Sequence, residues 1–263
     1  MLILLRFIAT GLFAQNSPHI RDWKPDLNEA TSAPKAACSA MHSLTGYDLS
    51  VITAETIPAA SPAPEFCRVL IQVQPEIRIE VSLPSKWNRR LYMFGNGGYA
   101  GENLEAPGRV SHRNNALGSG FVVTQTNTGH DAAKEPLATF TTDSQKFLDY
   151  AFRSLHVTVE TAKRVAAAYY GSRPARSYYN GCSTGGRQAL ILAQRYPDDF
   201  DGIVAGAPAL NNVQNRLRAI ATYQALAKAP IPVPKLKVLA ARIYDRCDSV
   251  DGLKDGLIAD PRR

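Results

Sequence analysis

The sequence has no run of lysines or arginines and no basic stretch interleaved with aromatics, although it carries 30 Lys and Arg against 23 Asp and Glu. The formal charge of +7 is scattered. That pattern argues against a nucleic-acid surface and gives at most weak steering toward carboxylate-bearing substrates. Long apolar runs are also absent. The one candidate, residues 1–14 (MLILLRFIATGLFA), is too short to span a bilayer. It resembles a secretory signal, with a small residue, Ala14, placed for cleavage. Arg6 interrupts it, however, and no Lys or Arg precedes it. We read residues 1–14 as a signal peptide and the chain as secreted or periplasmic, with no other contact with a membrane. No internal repeat and no low-complexity tract is found.

Cysteine is scarce: Cys38, Cys67, Cys182 and Cys247 are the four. They suit an exported protein and allow three pairings. Cys38 and Cys67 bracket a small N-terminal segment and make the plausible local pair, a staple of about 2–4 kcal/mol. With 263 residues, 45% hydrophobic and 20% charged, the chain is long enough and ordinary enough to bury a core as one domain.

Residues 15–37 are polar and contain proline, and read as an N-terminal arm. Residues 48–58 and 66–83 are β-rich. Within them, 68–74 and 77–83 read as strands joined at Pro75, and Ile77, Ile79, Val81 and Leu83 alternate with polar residues. Residues 90–94 form a buried strand that runs into Gly95-Asn-Gly-Gly-Tyr-Ala-Gly101. That loop lacks the spacing, and the following helix, of a dinucleotide or phosphate loop. Residues 120–126 are another buried strand, 144–170 have helical periodicity, and 201–206 are a strand closed by Ala207-Pro208. Residues 209–228 and 234–246 read as helices. A hairpin followed by strand–helix repeats predicts an α/β chain with a mostly parallel sheet.

One stretch organises the rest. Gly181-Cys182-Ser183-Thr184-Gly185 satisfies G-x-S-x-G, with β-prone residues 176–180 before it and a helical run, 187–195, after it. This is the context of a nucleophile elbow, a tight strand-to-helix turn whose glycines let two backbones pass closely. The helix start aims free N–H groups at whatever Ser183 attacks, and Thr184 N–H is the natural oxyanion donor. The Gly95–Gly101 loop, which follows an early strand, supplies the second donor from Gly97 or Gly98. An elbow serine needs a base, with a carboxylate to orient it, and in α/β-hydrolases these follow the serine in the order Asp or Glu, then His. The five histidines, His19, His42, His112, His130 and His156, all precede Ser183. No residue here is assigned as base or acid, and Asp198, Asp199 and Asp201 follow the elbow helix too closely to be the acid.

Residues 247–258 (CDSVDGLKDGLI) set aspartates three and four apart with glycines between. Such a compact loop of oxygens suits Ca²⁺, although it is not an EF-hand. From the spacing alone, a solvated acidic turn stays open.

Several segments together resemble the tannase/feruloyl esterase family of secreted serine esterases. They are Trp87 to Leu91 with Gly95 to Gly101, Thr126 to His130, Asn180 to Leu190, Arg195 to Pro208, and Cys247 to Ile258. The resemblance implies an α/β-hydrolase fold with an inserted lid, residues 15–209 lying in the catalytic domain and 210–263 at the start of the lid. It implies hydrolysis of carboxylic esters of aromatic acids through an acyl-enzyme on Ser183. It implies a structural Ca²⁺ held by Asp248, Asp251, the Leu253 carbonyl, Asp255 and the Leu257 carbonyl. It also implies that Cys182 pairs with a cysteine directly after the catalytic histidine and that Cys247 pairs with another cysteine of the lid. Both partners, the acid and the base then lie beyond Arg263. The alternative is a non-catalytic, hydrolase-like or calcium-binding remnant.

Overall fold

The structure is a computed structural model of the chain and describes residues 31–262. The proposed signal at 1–14 and the arm up to residue 30 lie outside the described residues. The rest forms two compact units that divide between Ala209 and Leu210.

The first unit is built on one seven-stranded sheet: β1 (Leu49–Ile57), β2 (Phe66–Val73), β3 (Ile77–Pro84), β4 (Arg90–Phe94), β5 (Val122–Thr126), β6 (Arg176–Cys182) and β7 (Gly202–Gly206). The order is β1-β2-β3-β5-β4-β6-β7. The first three strands and β5 are antiparallel neighbours, while β5, β4, β6 and β7 are parallel. The expected mostly parallel sheet is thus half antiparallel. The reason is local: a turn of three residues between Val73 and Ile77 can join only antiparallel strands. The parallel strands are joined through helices. These are α1 (Pro107–Gly118), then α2 (Ser144–Leu148) and α3 (Ser154–Tyr170), then α4 (Thr184–Arg195).

The central strands of the sheet are buried on both faces, while β1 and β7 are partly exposed. On one face Ile71, Ile79, Val81, Leu91, Met93 and Val122 pack against Leu155, Val159, Ala162 and Val165 of α3 and Ala189 and Leu192 of α4. This is the apolar stripe read from the sequence of 144–170. The helix there is not α throughout, because Asp149–Arg153 is a π-helical turn between α2 and α3. Asp149 is fully buried, accepts from Gln145 Nε2 (2.9 Å) and Arg153 Nη1 (2.7 Å), and its carbonyl accepts from Ser154 Oγ (2.7 Å). Gly171, at φ 73°, ends α3 in the left-handed conformation.

The opposite face has a smaller apolar cluster, with Phe66, Phe94, Val123 and Leu117. The rest of that face is ionic. Glu80 of β3, 1% exposed, binds Arg68 at 3.0 Å and Arg113 of α1 at 3.0 Å, and Arg113 also binds Glu105 at 2.8 Å. Gln125 of β5 donates to Glu80 (3.2 Å) and accepts from Arg109 Nε (2.7 Å). Helix α1 was not anticipated from the sequence. Its buried residues are Arg109, Arg113 and Leu117, so two of the three helically spaced inward positions are charged.

Cys38 and Cys67 form the expected disulfide, which fastens a 3₁₀ turn (Cys38–Leu44) to β2. The second unit holds α5 (Asn212–Lys228), α6 (Val233–Cys247) and a 3₁₀ turn (Asp248–Asp251). No helix among the described residues is long and apolar enough to cross a membrane.

Burial alone would raise the pKa of Glu80, but Arg113 and Arg68 overcome it and hold the carboxyl below its ordinary value. A carboxylate with a depressed folded pKa stabilises the fold above its unfolded pKa, and that stability is lost as pH falls through the folded value. We expect Glu80→Gln to leave Arg113 buried with a poorer partner and to destabilise the first unit by about 3 kcal/mol. The loss is expected at neutral pH and to shrink in acid. Urea midpoints at several pH values measure it.

Candidate active site

Strands β4, β5, β6 and β7 end at one edge of the sheet, the edge where open α/β sheets place their ligands. Ser183 stands there between β6 and α4. Its backbone, at φ 59° and ψ −117°, is strained for a residue with a side chain. Neighbouring backbones hold it: its N–H donates to the Gly206 carbonyl (3.1 Å), and its own carbonyl accepts from Arg187 N (3.0 Å) and Ala209 N (3.0 Å). The side chain is exposed, and Oγ makes no hydrogen bond among the described residues.

Glycine is required around the serine for want of space. A Cβ on Gly181 would overlap the Gly185 carbonyl, and one on Gly186 would overlap the Gly206 carbonyl and come within 2.8 Å of Pro208 Cα. A Cβ on Gly95 would lie 2.6 Å from Gly185 Cα. The elbow and the glycine loop after β4 therefore touch through their main chains.

In that loop the two candidate amides, of Gly97 and Gly98, differ. Gly97 N–H donates to Glu102 Oε1 (2.7 Å) and is already occupied. Gly98 has φ 50°, and its N–H makes no hydrogen bond among the described residues. Its carbonyl accepts from Thr184 Oγ1, so the threonine after the serine is tied directly to Gly98. Thr184 N–H is the first of α4 and has no acceptor within the helix.

Three polar residues behind the loop escaped the sequence reading. Gln188 of α4, fully buried, accepts from Asn96 N (3.0 Å) and donates to Asn96 Oδ1 (3.1 Å). Tyr179 Oη lies 3.0 Å from Gln188 Oε1 and 3.2 Å from the Gly185 carbonyl. Burial pushes the Tyr179 phenol far up, so it stays neutral. Glu102 Oε2 accepts from Asn96 Nδ2 (2.7 Å). The recoverable signal was spacing: Gln188 lies five residues after the serine, at the inward position of an amphipathic helix.

None of the described histidines hydrogen-bonds Ser183. His112 stacks on Phe94 (ring centroids 5.4 Å apart). His130 is fully buried against Phe140 (3.8 Å), and burial pushes its pKa below the ordinary imidazole value, so the ring is neutral. His156 Nδ1 meets Asp199 Oδ2 at 2.9 Å and stacks on Tyr196. His42 lies in the Cys38–Leu44 turn, and His19 is outside the described residues. Cys182 and Cys247 are both free thiols, Cys182 exposed.

In the second unit, the 248–257 loop folds on its own amides. Asp248 Oδ1 accepts from Gly256 N (2.8 Å), Asp251 Oδ1 from Leu253 N (3.0 Å) and Asp255 Oδ1 from Leu257 N (3.0 Å). Gly252 and Gly256, at φ 97° and 79°, make the turns. The donors are all oxygen, which suits a hard cation. Among the described residues, however, no three acidic, histidine or cysteine side chains converge as a metal group.

The family model for "Tannase and feruloyl esterase" matches residues 64–263. The chain belongs to this family. It is 36% identical over 208 residues to a probable feruloyl esterase B-2 of Aspergillus flavus, covering 75% of this chain and 38% of that one. It is 32% identical over 270 residues to the mono(2-hydroxyethyl) terephthalate hydrolase of Piscinibacter sakaiensis, covering 86% of this chain and 45% of that one. Among solved structures, feruloyl esterase B from Aspergillus oryzae superposes with a TM-score of 0.71 at 31% identity, over 86% of this chain and 48% of that one. The tannin acyl hydrolase from Aspergillus niger, at 21% identity and a TM-score of 0.65, shares the fold. The chain thus has the α/β-hydrolase fold and spans less than half the length of these relatives.

The strain at Ser183 is measurable without any substrate. Ser183→Gly and Ser183→Ala both remove the hydroxyl, but only glycine relaxes the positive φ. We expect the glycine variant to be the more stable by about 1 kcal/mol, read from denaturant midpoints. Equal midpoints would show that the elbow stores no strain.

Proposed function

We propose that this chain carries the nucleophile and oxyanion site of a serine esterase that hydrolyses carboxylic esters of aromatic acids. The observation that carries the reading is the juxtaposition at the sheet edge. An exposed serine sits on a strained elbow, the N–H groups of Thr184 and Gly98 have no acceptor among the described residues, and the Thr184 hydroxyl ties the elbow to the Gly98 carbonyl. Family membership supports ester hydrolysis. The names of two relatives, a feruloyl esterase and a terephthalate monoester hydrolase, denote aromatic acyl groups and support that substrate class.

In this mechanism Ser183 Oγ attacks the ester carbonyl, and its proton passes to a base. Thr184 N–H and Gly98 N–H take the developing oxyanion. The tetrahedral species collapses with loss of the alcohol, and water then releases the acid from the acyl-serine. The reading places the base and its carboxylate outside these 263 residues, since no described histidine meets the serine. The Cys38–Cys67 disulfide supports an exported location.

A fluorophosphonate probe tests the nucleophile. We expect covalent labelling at Ser183, weak in this chain alone and lost in Ser183→Ala. Label on another residue, or equal labelling of the variant, would sink the assignment. No label on this chain, beside full label on a longer relative, would favour the non-catalytic reading.

The loop at 248–257 is proposed as a structural Ca²⁺ site through Asp248, Asp251, Asp255 and the carbonyls of Leu253 and Leu257. The aspartate spacing and the all-oxygen donor set support it. Binding would draw the three carboxylates together from their present separation. A saturating ligand stabilises its site by about 2.7 kcal/mol at a hundredfold excess over Kd. Calcium, and not magnesium, is therefore expected to raise the unfolding temperature, and Asp248→Asn to cancel the rise. No shift with calcium would remove the site.

A further inference from the structure

We infer that Gln188 and Glu102 are positioning residues that hold the Gly98 amide in line with Ser183, acting together through Asn96. The inference rests on the serine-esterase reading above and assigns roles to side chains that touch no substrate.

The geometry has two arms. On the elbow side, Gln188 grips Asn96 at both ends of its amide: Asn96 N–H donates to Gln188 Oε1 (3.0 Å), and Gln188 Nε2 donates to Asn96 Oδ1 (3.1 Å). Gln188 is fully buried and Asn96 is 3% exposed, so water cannot replace either bond. Because Gln188 sits on the same helix whose first residue is Thr184, the grip ties the glycine loop to the elbow. On the other side, Glu102 accepts Gly97 N–H (2.7 Å) and Asn96 Nδ2 (2.7 Å). Its carboxylate lies 3.6 Å from Arg109 Nη1, whose Nε is fixed by Gln125, which in turn meets Glu80. The ionic face of the sheet thus ends on the oxyanion loop.

The consequence concerns the peptide plane. Gly97 N–H is turned back onto Glu102, the Gly97 carbonyl accepts from Ala100 N (2.7 Å) and the Gly98 carbonyl accepts from Thr184 Oγ1, so the peptides around the Gly98 N–H are held while that N–H has no partner among the described residues. A loop of four glycines in seven residues (95–101) has no intrinsic reason to hold that orientation. Preorganised donors are what oxyanion stabilisation needs, so the clamp replaces the rigidity that the glycines lack.

The test compares Gln188→Met, which keeps the volume and removes both polar atoms, with Glu102→Ala and Glu102→Gln. Two readouts are taken on the full chain: fluorophosphonate labelling of Ser183, split into maximal rate and probe affinity, and hydrogen exchange of the 95–101 amides. We expect Gln188→Met and Glu102→Ala to lower the maximal rate by about 10- to 100-fold, a fraction of the loss of a whole oxyanion donor. Affinity should be nearly unchanged and loop exchange faster. Glu102→Gln keeps an acceptor for Gly97 N–H and is expected to recover most of the rate. A maximal rate within twofold of wild type in both disruptive variants overturns the inference, even if exchange rises. If Gln188→Met does not fold, the Glu102 pair decides alone, since Glu102 is partly exposed. If wild type is not labelled at all, the esterase reading falls. The exchange data then judge the clamp separately, and unchanged exchange overturns it.

Discussion

Three backbones meet at Gly185, and the first unit is arranged to let them meet. Gly95 after β4, Gly181 before the serine and Gly185 after it approach more closely than any side chain would allow. Gly186 does the same against Gly206 of β7. Only parallel strands that end together can bring these chains to one point, and only helices packed across the same sheet face can hold them there. The positive φ of Ser183 survives because its N–H and carbonyl are fixed by β7 and its sequel, at Gly206 and Ala209. Strain at the serine is thus balanced by ordinary packing in the sheet.

Much of this was legible in the sequence. The alternation of Ile77, Ile79, Val81 and Leu83, the apolar spacing of 144–170, and the strand–serine–helix run at 176–195 each announced their element, because burial on one face leaves a period in the residues. The Cys38–Cys67 pair was readable from position alone. Helix α1 was not readable. Its inward face uses Arg109 and Arg113, whose burial is offset by Glu105 just before the helix and by Glu80 and Gln125 from other strands. A hydrophobicity pattern cannot see a charged face that is buried by pairing. The π turn at Asp149–Arg153 was also hidden, since the apolar spacing of 144–170 is that of an ordinary helix.

At the site, the strand–serine–helix turn and the glycine loop stand where the spacing put them, but spacing alone could not tell the Gly97 amide from the Gly98 amide. Glu102 distinguishes them, because its carboxylate occupies one amide and leaves the other. Gln188 and Asn96 were missed because a polar residue in a helix or loop carries no sign of whom it will face. In the aspartate loop each carboxylate accepts from the amide two residues on, or, for Asp248, eight residues on, bonds that the aspartate spacing alone does not reveal.

The backbone conformation at position 183 also narrows which side chain could stand there. A positive φ of 59° is a conformation that β-branched side chains rarely adopt. Threonine has the same hydroxyl chemistry as serine, yet it is disfavoured there by shape, while cysteine, unbranched at Cβ, is less so. Evolution at this elbow would then be free to exchange oxygen for sulfur before it could add a single methyl group.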